Sequence, residues 1–132
     1  MPVINWQRAL KLIIVLISIH SFLLGIAMLF SPRVFTEFFG VASKGQFFWQ
    51  SQSGIFLFIL AIAYYLAYRE IDRSRILVNF LVLSKALAAV FLLTHWIFFN
   101  APDSIALAAA GDGIMGTSVL LLNIKSPLQM RG

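Results

Sequence analysis

Three ionisable side chains lie deep inside apolar stretches of this sequence, and they are the residues best able to do chemistry. They are Lys85 in LSKAL, Asp112 in GDGIMG and His20 in SIHSF. A cation, a carboxylate and an imidazole can together bind a polar head group or relay a proton. A lone lysine or aspartate at the centre of a membrane span costs about 2.5–3.5 kcal/mol on insertion scales, so each needs a partner.

The spacing of these residues places all three at one depth. Each lies nine or ten residues from a charged residue near one end of its apolar stretch. At about 1.5 Å per helical residue, this is close to halfway through a hydrocarbon core of about 30 Å. Because the short segment NAPD joins their two stretches, we expect Lys85 and Asp112 to pair. The pair is either a structural clamp or a ligand or proton site. His20 is either a neutral, hydrogen-bonded core residue or part of that site.

A second polar group, near the start of the second apolar stretch, could line a polar mouth: Gln50, Gln52 and Ser53. No pair of candidate ligands has the spacing of a zinc site, and no nucleophile, P-loop or dinucleotide motif is present. The absence of cysteine excludes thiol catalysis and Cys-ligated metal sites. The sequence therefore indicates no catalytic residue and no metal ligand set, and it identifies no cofactor.

The composition is typical of a membrane protein. Of the 132 residues, 61% are hydrophobic and 11% are charged, and the mean hydropathy is +0.92. Soluble domains are about 45–50% apolar and about 25% charged. A globule this small could not bury so much apolar surface away from water, whereas a bilayer can. The net charge of +5 does not indicate nucleic-acid binding, because the basic residues do not form one patch.

Four apolar stretches are each close to the length of about 20 residues that spans a bilayer. Backbone groups find no partner in lipid, so the spans should be helices. We expect an all-α integral membrane four-helix bundle, formed as one transmembrane domain over residues 1–132. Its spans are predicted at residues 9–30, 47–68, 76–99 and 104–124.

The loop after the first span contains the signals of one more, short helix. Ser31 and Pro32 are typical of a helix start, and Gly40 is typical of a helix end. Val34, Phe35, Phe38 and Phe39 would share one face, so we predict an interfacial helix at residues 32–39. The alternative is an irregular loop whose phenylalanines pack on the bundle.

The basic residues predict the orientation of the chain. Seven fall on the side of both termini and two on the other: Arg8, Lys11, Arg69, Arg73, Arg75, Lys125 and Arg131 against Arg33 and Lys44. Since basic loops stay in the cytoplasm, we expect both termini to be cytoplasmic. Interfacial aromatic residues are expected at the same boundaries: Trp6, Tyr64, Tyr65 and Tyr68 at the inner one, and Trp49 and Trp96 at the outer one.

The second to fourth spans resemble the small DoxX-like bacterial membrane proteins. The resemblance rests on Gly54 at the head of the second span, on YYLAYRE before a basic turn, on LSKAL and on GDGIMG. It implies an inner-membrane four-helix bundle, in some cases associated with respiratory or redox partners. No catalytic residues carry over, and the lack of cysteine argues against a thiol-redox role.

Two functions compete at this point. The first is a non-enzymatic subunit or accessory protein that docks on a larger membrane complex or forms a homo-oligomer. The second is the binding or transport of a small lipid-like molecule, such as a quinone-like ligand, or of a proton, through a polar midplane site. An enzyme is the less favoured third hypothesis. Under all three hypotheses, the lipid bilayer that surrounds the protein is a partner.

Overall fold

The protein, seen in a computed structural model that describes residues 5–41 and 47–126, is all-α. Within those residues it forms five helices: α1 (Trp6–Phe30), α2 (Pro32–Phe39), α3 (Phe48–Glu70), α4 (Ile76–Phe98) and α5 (Asp103–Lys125). All but α2 are long enough and apolar enough to cross a membrane. The chain is therefore a small multi-pass membrane protein, as its composition predicts.

Local signals explain where α1 and α2 begin and end. The Asn5 side chain caps α1 by accepting a hydrogen bond from the Arg8 N–H at 3.1 Å. The helix stops at Ser31, because Pro32 begins α2 as its first residue. Gly40 ends α2 in the left-handed conformation at φ 67°. The helix predicted at residues 32–39 is present, although the Ser31 hydroxyl makes no capping hydrogen bond.

The four long helices form a ring in which α1 packs mainly on α3 and α4 mainly on α5. The α3–α4 and α1–α5 contacts, which join these two pairs, are less extensive. Two glycines bring α1 and α3 together. A Cβ added at Gly54 would lie 2.8 Å from the carbonyl oxygen of Gly25, and one at Gly25 would lie 2.9 Å from the Gly54 carbonyl oxygen. Only residues without a side chain permit this approach.

The core occupies one half of the bundle. We call the end where α1 and α4 begin the inner end, and the opposite end the outer end. The largest fully buried aliphatic side chains lie toward the inner end: Leu10, Ile14 and Ile17 in α1, Ile71 after α3, Val78 and Leu81 in α4, and Val119 in α5. Smaller buried residues, among them Gly25, Gly54 and Ala109, take their place toward the outer end.

Tyr64 belongs to this core, so its predicted place at the membrane boundary is wrong. The residue is 1% exposed, on the buried stripe of α3 that includes Ala61 and Ala67. Its ring can be buried because its hydroxyl group has a hydrogen-bond partner, Ser84 of α4. The neighbouring Tyr65 is 50% exposed, as a boundary tyrosine would be.

Helix α2 lies across the outer end, from α1 to the start of α5. The Ser104 hydroxyl donates to the carbonyl oxygen of Phe39, and Gly40 adjoins Pro102. The predicted apolar face divides in two. Phe35 and Phe39 are partly buried, whereas Val34 and Phe38 are 65% and 81% exposed.

We expect spin labels on α2 to report a helix lying in the membrane interface. Labels at Val34 and Phe38 should show shallow membrane depth, because these apolar side chains face away from the bundle. Labels at Arg33 and Glu37, an exposed ion pair of 2.8 Å on the remaining face, serve as controls and should face water. Equal water exposure at all four positions would contradict an interfacial helix.

Polar contacts hold the inner end together. The Lys11 ammonium lies 2.6 Å from an oxygen of Asp72, in the turn after α3, and Gln7 donates to the other oxygen. The Lys11 hydrogen bond is the main cause that holds the Asp72 pKa below its ordinary value. Arg75, at the start of α4, donates to the Ser126 carbonyl oxygen at 2.6 Å. These contacts tie α1 to the turn after α3, and the start of α4 to the end of α5.

The lowered pKa of Asp72 makes a small part of the stability depend on pH. A carboxylate with a depressed pKa stabilises the fold above its ordinary pKa, and this stabilisation is lost as pH falls through the lowered value. We expect less than about 1 kcal/mol, since the pair is partly exposed. We expect the unfolding temperature of Asp72→Asn to fall less steeply than that of wild type as the pH is lowered into the acid range. The control is Glu70→Gln in the same region, whose contact with Arg73 is longer at 3.9 Å; an equally reduced slope there would show that Asp72 is not responsible.

Candidate functional site

The predicted contact between Lys85 and Asp112 is present at the centre of the bundle. The Lys85 Nζ atom donates to the Asp112 Oδ1 atom at 2.6 Å. The lysine side chain is 6% exposed and the aspartate side chain 17% exposed. The lysine is therefore enclosed by protein, while the carboxylate retains a path to the surface.

The sequences of α4 and α5 explain how the pair forms. Lys85 continues the buried stripe of α4 through Val78, Leu81 and Ala89. Gly116 faces Lys85 from α5, where an added Cβ would lie 3.1 Å from the lysine Cβ. The glycine thus lets α5 approach α4 closely. Asp112 lies one turn before Gly116, within reach of the lysine.

Helix α3 adds Tyr64 to the site, a residue that the sequence did not place there. The Tyr64 hydroxyl oxygen lies 2.7 Å from the Ser84 hydroxyl oxygen, which in turn lies 2.9 Å from the Leu81 carbonyl oxygen. Because the serine donates its one proton to the carbonyl group, the tyrosine must be the donor to the serine. The Lys85 ammonium lies 5.9 Å from the centre of the tyrosine ring, within range of a cation–π interaction. Ser84 thus fixes the Tyr64 hydroxyl, and the tyrosine ring partly compensates the lysine charge.

His20 lies near the pair but not in the core. It is exposed and lies outside the buried stripe of α1, one residue before the buried Ser21. Its ring forms no hydrogen bond with the residues that the structure describes. The interpretation of His20 as a hydrogen-bonded core histidine is therefore wrong, because the helix turns this position toward the edge of the bundle.

The buried face of α1 contributes two serines with different surroundings. The Ser18 hydroxyl donates to the Ala61 carbonyl oxygen at 2.8 Å. Ser21, one turn farther out, is 1% exposed, and its hydroxyl oxygen has no partner within residues 5–41 and 47–126. A buried hydroxyl group without a hydrogen bond costs about 1–3 kcal/mol in protein mutational data. The site thus has spare hydrogen-bonding capacity.

The three residues of the predicted polar mouth have different surroundings. Ser53 is exposed, and its hydroxyl donates to the Trp49 carbonyl oxygen of its own helix at 2.8 Å. Gln50 and Gln52 are partly buried, and in each the side-chain oxygen receives no hydrogen bond from the described part of the chain. The polar mouth of Gln50, Gln52 and Ser53 remains a prediction.

Comparison with family models, with curated proteins and with solved structures gives no match to this chain. The resemblance to DoxX-like proteins accordingly stays a prediction. Within the described residues, no three histidine, aspartate or glutamate side chains come together as a metal site. What the site offers is an ion pair, a tyrosine–serine hydrogen bond, an imidazole ring and a buried hydroxyl group.

Proposed function

We propose that this protein binds the polar head group of a lipid-like molecule beside the Lys85–Asp112 pair, in the middle of a four-helix membrane bundle. One observation carries the proposal: each of the four long helices supplies a polar side chain to the same region. These side chains are His20 from α1, Tyr64 from α3, Lys85 from α4 and Asp112 from α5. Intramembrane ionisable groups are costly, and they commonly mark sites and pathways.

A purely structural clamp accounts for less of this arrangement. A clamp between α4 and α5 requires Lys85 and Asp112 only. It does not explain the Ser21 hydroxyl group and the His20 ring, neither of which forms a hydrogen bond within residues 5–41 and 47–126. A bound head group would supply hydrogen bonds to both, so ligand binding is favoured over a subunit whose polar centre only fixes the register of the helices.

Native mass spectrometry of the purified protein tests the proposal. Wild type should carry a bound lipid-like molecule. Lys85→Met with Asp112→Leu should lose it, because the double change removes the polar partners of the head group. The matched control, Lys11→Met with Asp72→Leu, removes the ion pair at the inner end and should keep the ligand. A large copurifying subunit with no bound lipid would instead favour the accessory-protein function.

The charge distribution supports an inner-membrane location with both termini cytoplasmic. Of the seven basic residues predicted on that side, Arg8, Lys11, Arg69, Arg73, Arg75 and Lys125 lie at the inner end of the bundle. Arg131 and, on the opposite side, Lys44 lie outside the described residues.

We expect tags at both termini to be protected from external protease in intact cells, since basic residues are retained in the cytoplasm. A cysteine introduced at Ser43, which also lies outside the described residues, should react with an impermeant external reagent. A cysteine at Ser74, in the turn at the inner end, is the matched control and should not react. Protease access to the C-terminal tag alone would contradict an even number of spans.

A further inference from the structure

The edge between α1 and α5 leaves space beside the ion pair. A Cβ added at Gly111 would meet no atom within 4 Å. Gly111 lies one turn before Met115, which packs on the core that α1 helps to form, and two turns after Ser104, which bonds α2. At 100° per residue, Gly111 points about 140° away from Gly116, which faces α4, and the other neighbour of α5 in the ring is α1, so we place Gly111 on the α1 side. We call the region of His20, Ser21, Gly111 and Asp112 the α1–α5 seam.

The seam opens where the core ends. Toward the inner end, Leu10, Ile14 and Ile17 of α1 share one buried cluster with Val119 of α5. Ser21 continues that stripe of α1 with a much smaller side chain, and Gly111 has none. The large side chains that fill the inner half thus give way to small ones at the level of the ion pair, with open space beside Gly111.

The two ends of the bundle are obstructed. At the inner end the buried cluster and the contacts Lys11–Asp72 and Arg75–Ser126 close the bundle. At the outer end α2 lies across the bundle and is fastened by the hydrogen bond from Ser104 to Phe39. The partial exposure of Asp112 and the exposure of His20 therefore indicate access from the side, through lipid.

The charges of the seam limit what can bind there. Lys85 and Asp112 sum to zero whether the proton lies on the amine or on the carboxyl group. An ionised head group would have to displace one partner of this pair and leave a charge uncompensated in hydrocarbon. An uncharged head group with hydroxyl and ester groups can instead bond the Ser21 hydroxyl, the His20 ring and the exposed carboxylate edge.

We infer that an uncharged, hydroxyl-bearing amphiphile dissolved in the bilayer enters through the α1–α5 seam, with its head group against Asp112 and its tail in lipid. This rests on the proposed binding function and adds a route and a charge class to it. Gly111 is then a specificity-determining residue, because it keeps the seam open.

Photo-crosslinking in nanodiscs of phosphatidylethanolamine and phosphatidylglycerol tests the inference. The probes are a photoactivatable, clickable monoacylglycerol and the corresponding fatty acid, the latter at alkaline pH, where its carboxyl group is ionised. Monoacylglycerol should label peptides of α1 and α5 around His20 and Gly111. The fatty acid should label them about tenfold less, as expected when a buried charge is left unpaired.

Two glycines provide the matched variants. Gly111→Leu should lower labelling by the monoacylglycerol about tenfold by filling the seam, whereas Gly113→Leu should leave it unchanged. At 100° per residue, Gly113 points to nearly the opposite side of α5, and its added Cβ also meets nothing within 4 Å. His20→Phe replaces the imidazole by an aromatic ring that cannot form hydrogen bonds. It should reduce labelling even if Gly111→Leu folds poorly.

Each remaining outcome has one meaning. Wild-type labelling that is unchanged in Gly111→Leu and His20→Phe overturns the lateral route while the proposed function stands. Equal labelling by the fatty acid overturns the uncharged head group. Protein dimers cross-linked through α1 and α5 would show that a second copy covers the seam, which also overturns the inference. No specific labelling by either probe, together with no lipid bound to the purified wild type, contradicts the proposed function itself.

Discussion

Replacing Lys85 by Met is expected to destabilise the bundle by about 3–5 kcal/mol, the range measured when one partner of a buried ion pair is removed. Asp112 would lose the ammonium 2.6 Å away, and Tyr64 would lose its cation–π partner. Adding Asp112→Leu to Lys85→Met should recover most of this loss, because apolar replacement of a whole buried pair is often neutral or stabilising.

Thermal unfolding in detergent of both single variants and the double variant measures the coupling between the two residues. The same cycle at Lys11 and Asp72, whose side chains are 34% and 53% exposed, is the control and should give less than about 1 kcal/mol. If Lys85→Met were as mild as Lys11→Met, the lysine would be compensated by water or lipid head groups and not by Asp112.

Gly54→Ala is expected to destabilise the bundle by about 1–3 kcal/mol or more, the cost of overpacking a close contact. Its new Cβ would lie 2.8 Å from the carbonyl oxygen of Gly25, and backbone atoms cannot move aside as a flexible side chain can. Helices α1 and α3, the most extensive pair in the ring, would have to separate.

Gly113→Ala is the matched control, and its effect should have the opposite sign. An added Cβ there meets no atom within 4 Å, so the intrinsic preference of alanine for helices should stabilise by about 0.5–1 kcal/mol. Unfolding of both variants under one set of detergent conditions gives the comparison. Equal effects at the two glycines would show that α1 and α3 do not cross as closely as Gly25 and Gly54 indicate.

The sequence predicts the helices well, because lipid allows few alternatives. Twenty apolar residues in hydrocarbon must form a helix, so each span could be located from its length and hydropathy. The Lys85–Asp112 contact could be predicted for a related reason: two costly groups at one depth on consecutive helices stabilise each other. Depth is a linear quantity that can be counted along the chain.

The direction in which each residue faces could not be counted in the same way. Every side of a lipid-exposed helix is apolar, so the periodicity that reveals the buried face of a soluble helix is weak. Tyr64 therefore looked like a boundary residue, and its hydrogen bond to Ser84 was missed. Counting along the chain predicts the depth of His20, but nothing in the sequence showed that it faces the edge of the bundle.

The contacts at the inner end show a different limit. Lys11 and Asp72 are 61 positions apart in the sequence, and charged residues in short loops are common. Only the packing of α1 on α3 brings this lysine to the turn after α3. The charged Asp–Arg–Ser–Arg turn indicates that an ion pair could form there, but it does not indicate which of several basic residues would pair with the aspartate.

The pairing of Lys85 with Asp112 also has a consequence for biosynthesis. The lysine is made 27 residues before its counterion, so α4 meets the translocon with an uncompensated cation at its centre. Helix α4 is more apolar than α5, and this excess can carry the lysine into the bilayer alone. The aspartate of the less apolar α5 then arrives beside a cation already in place. The order of synthesis thus places Lys85 in α4, the helix that can insert without help. The pairing of Asp112 with this lysine then favours the insertion of the less apolar α5.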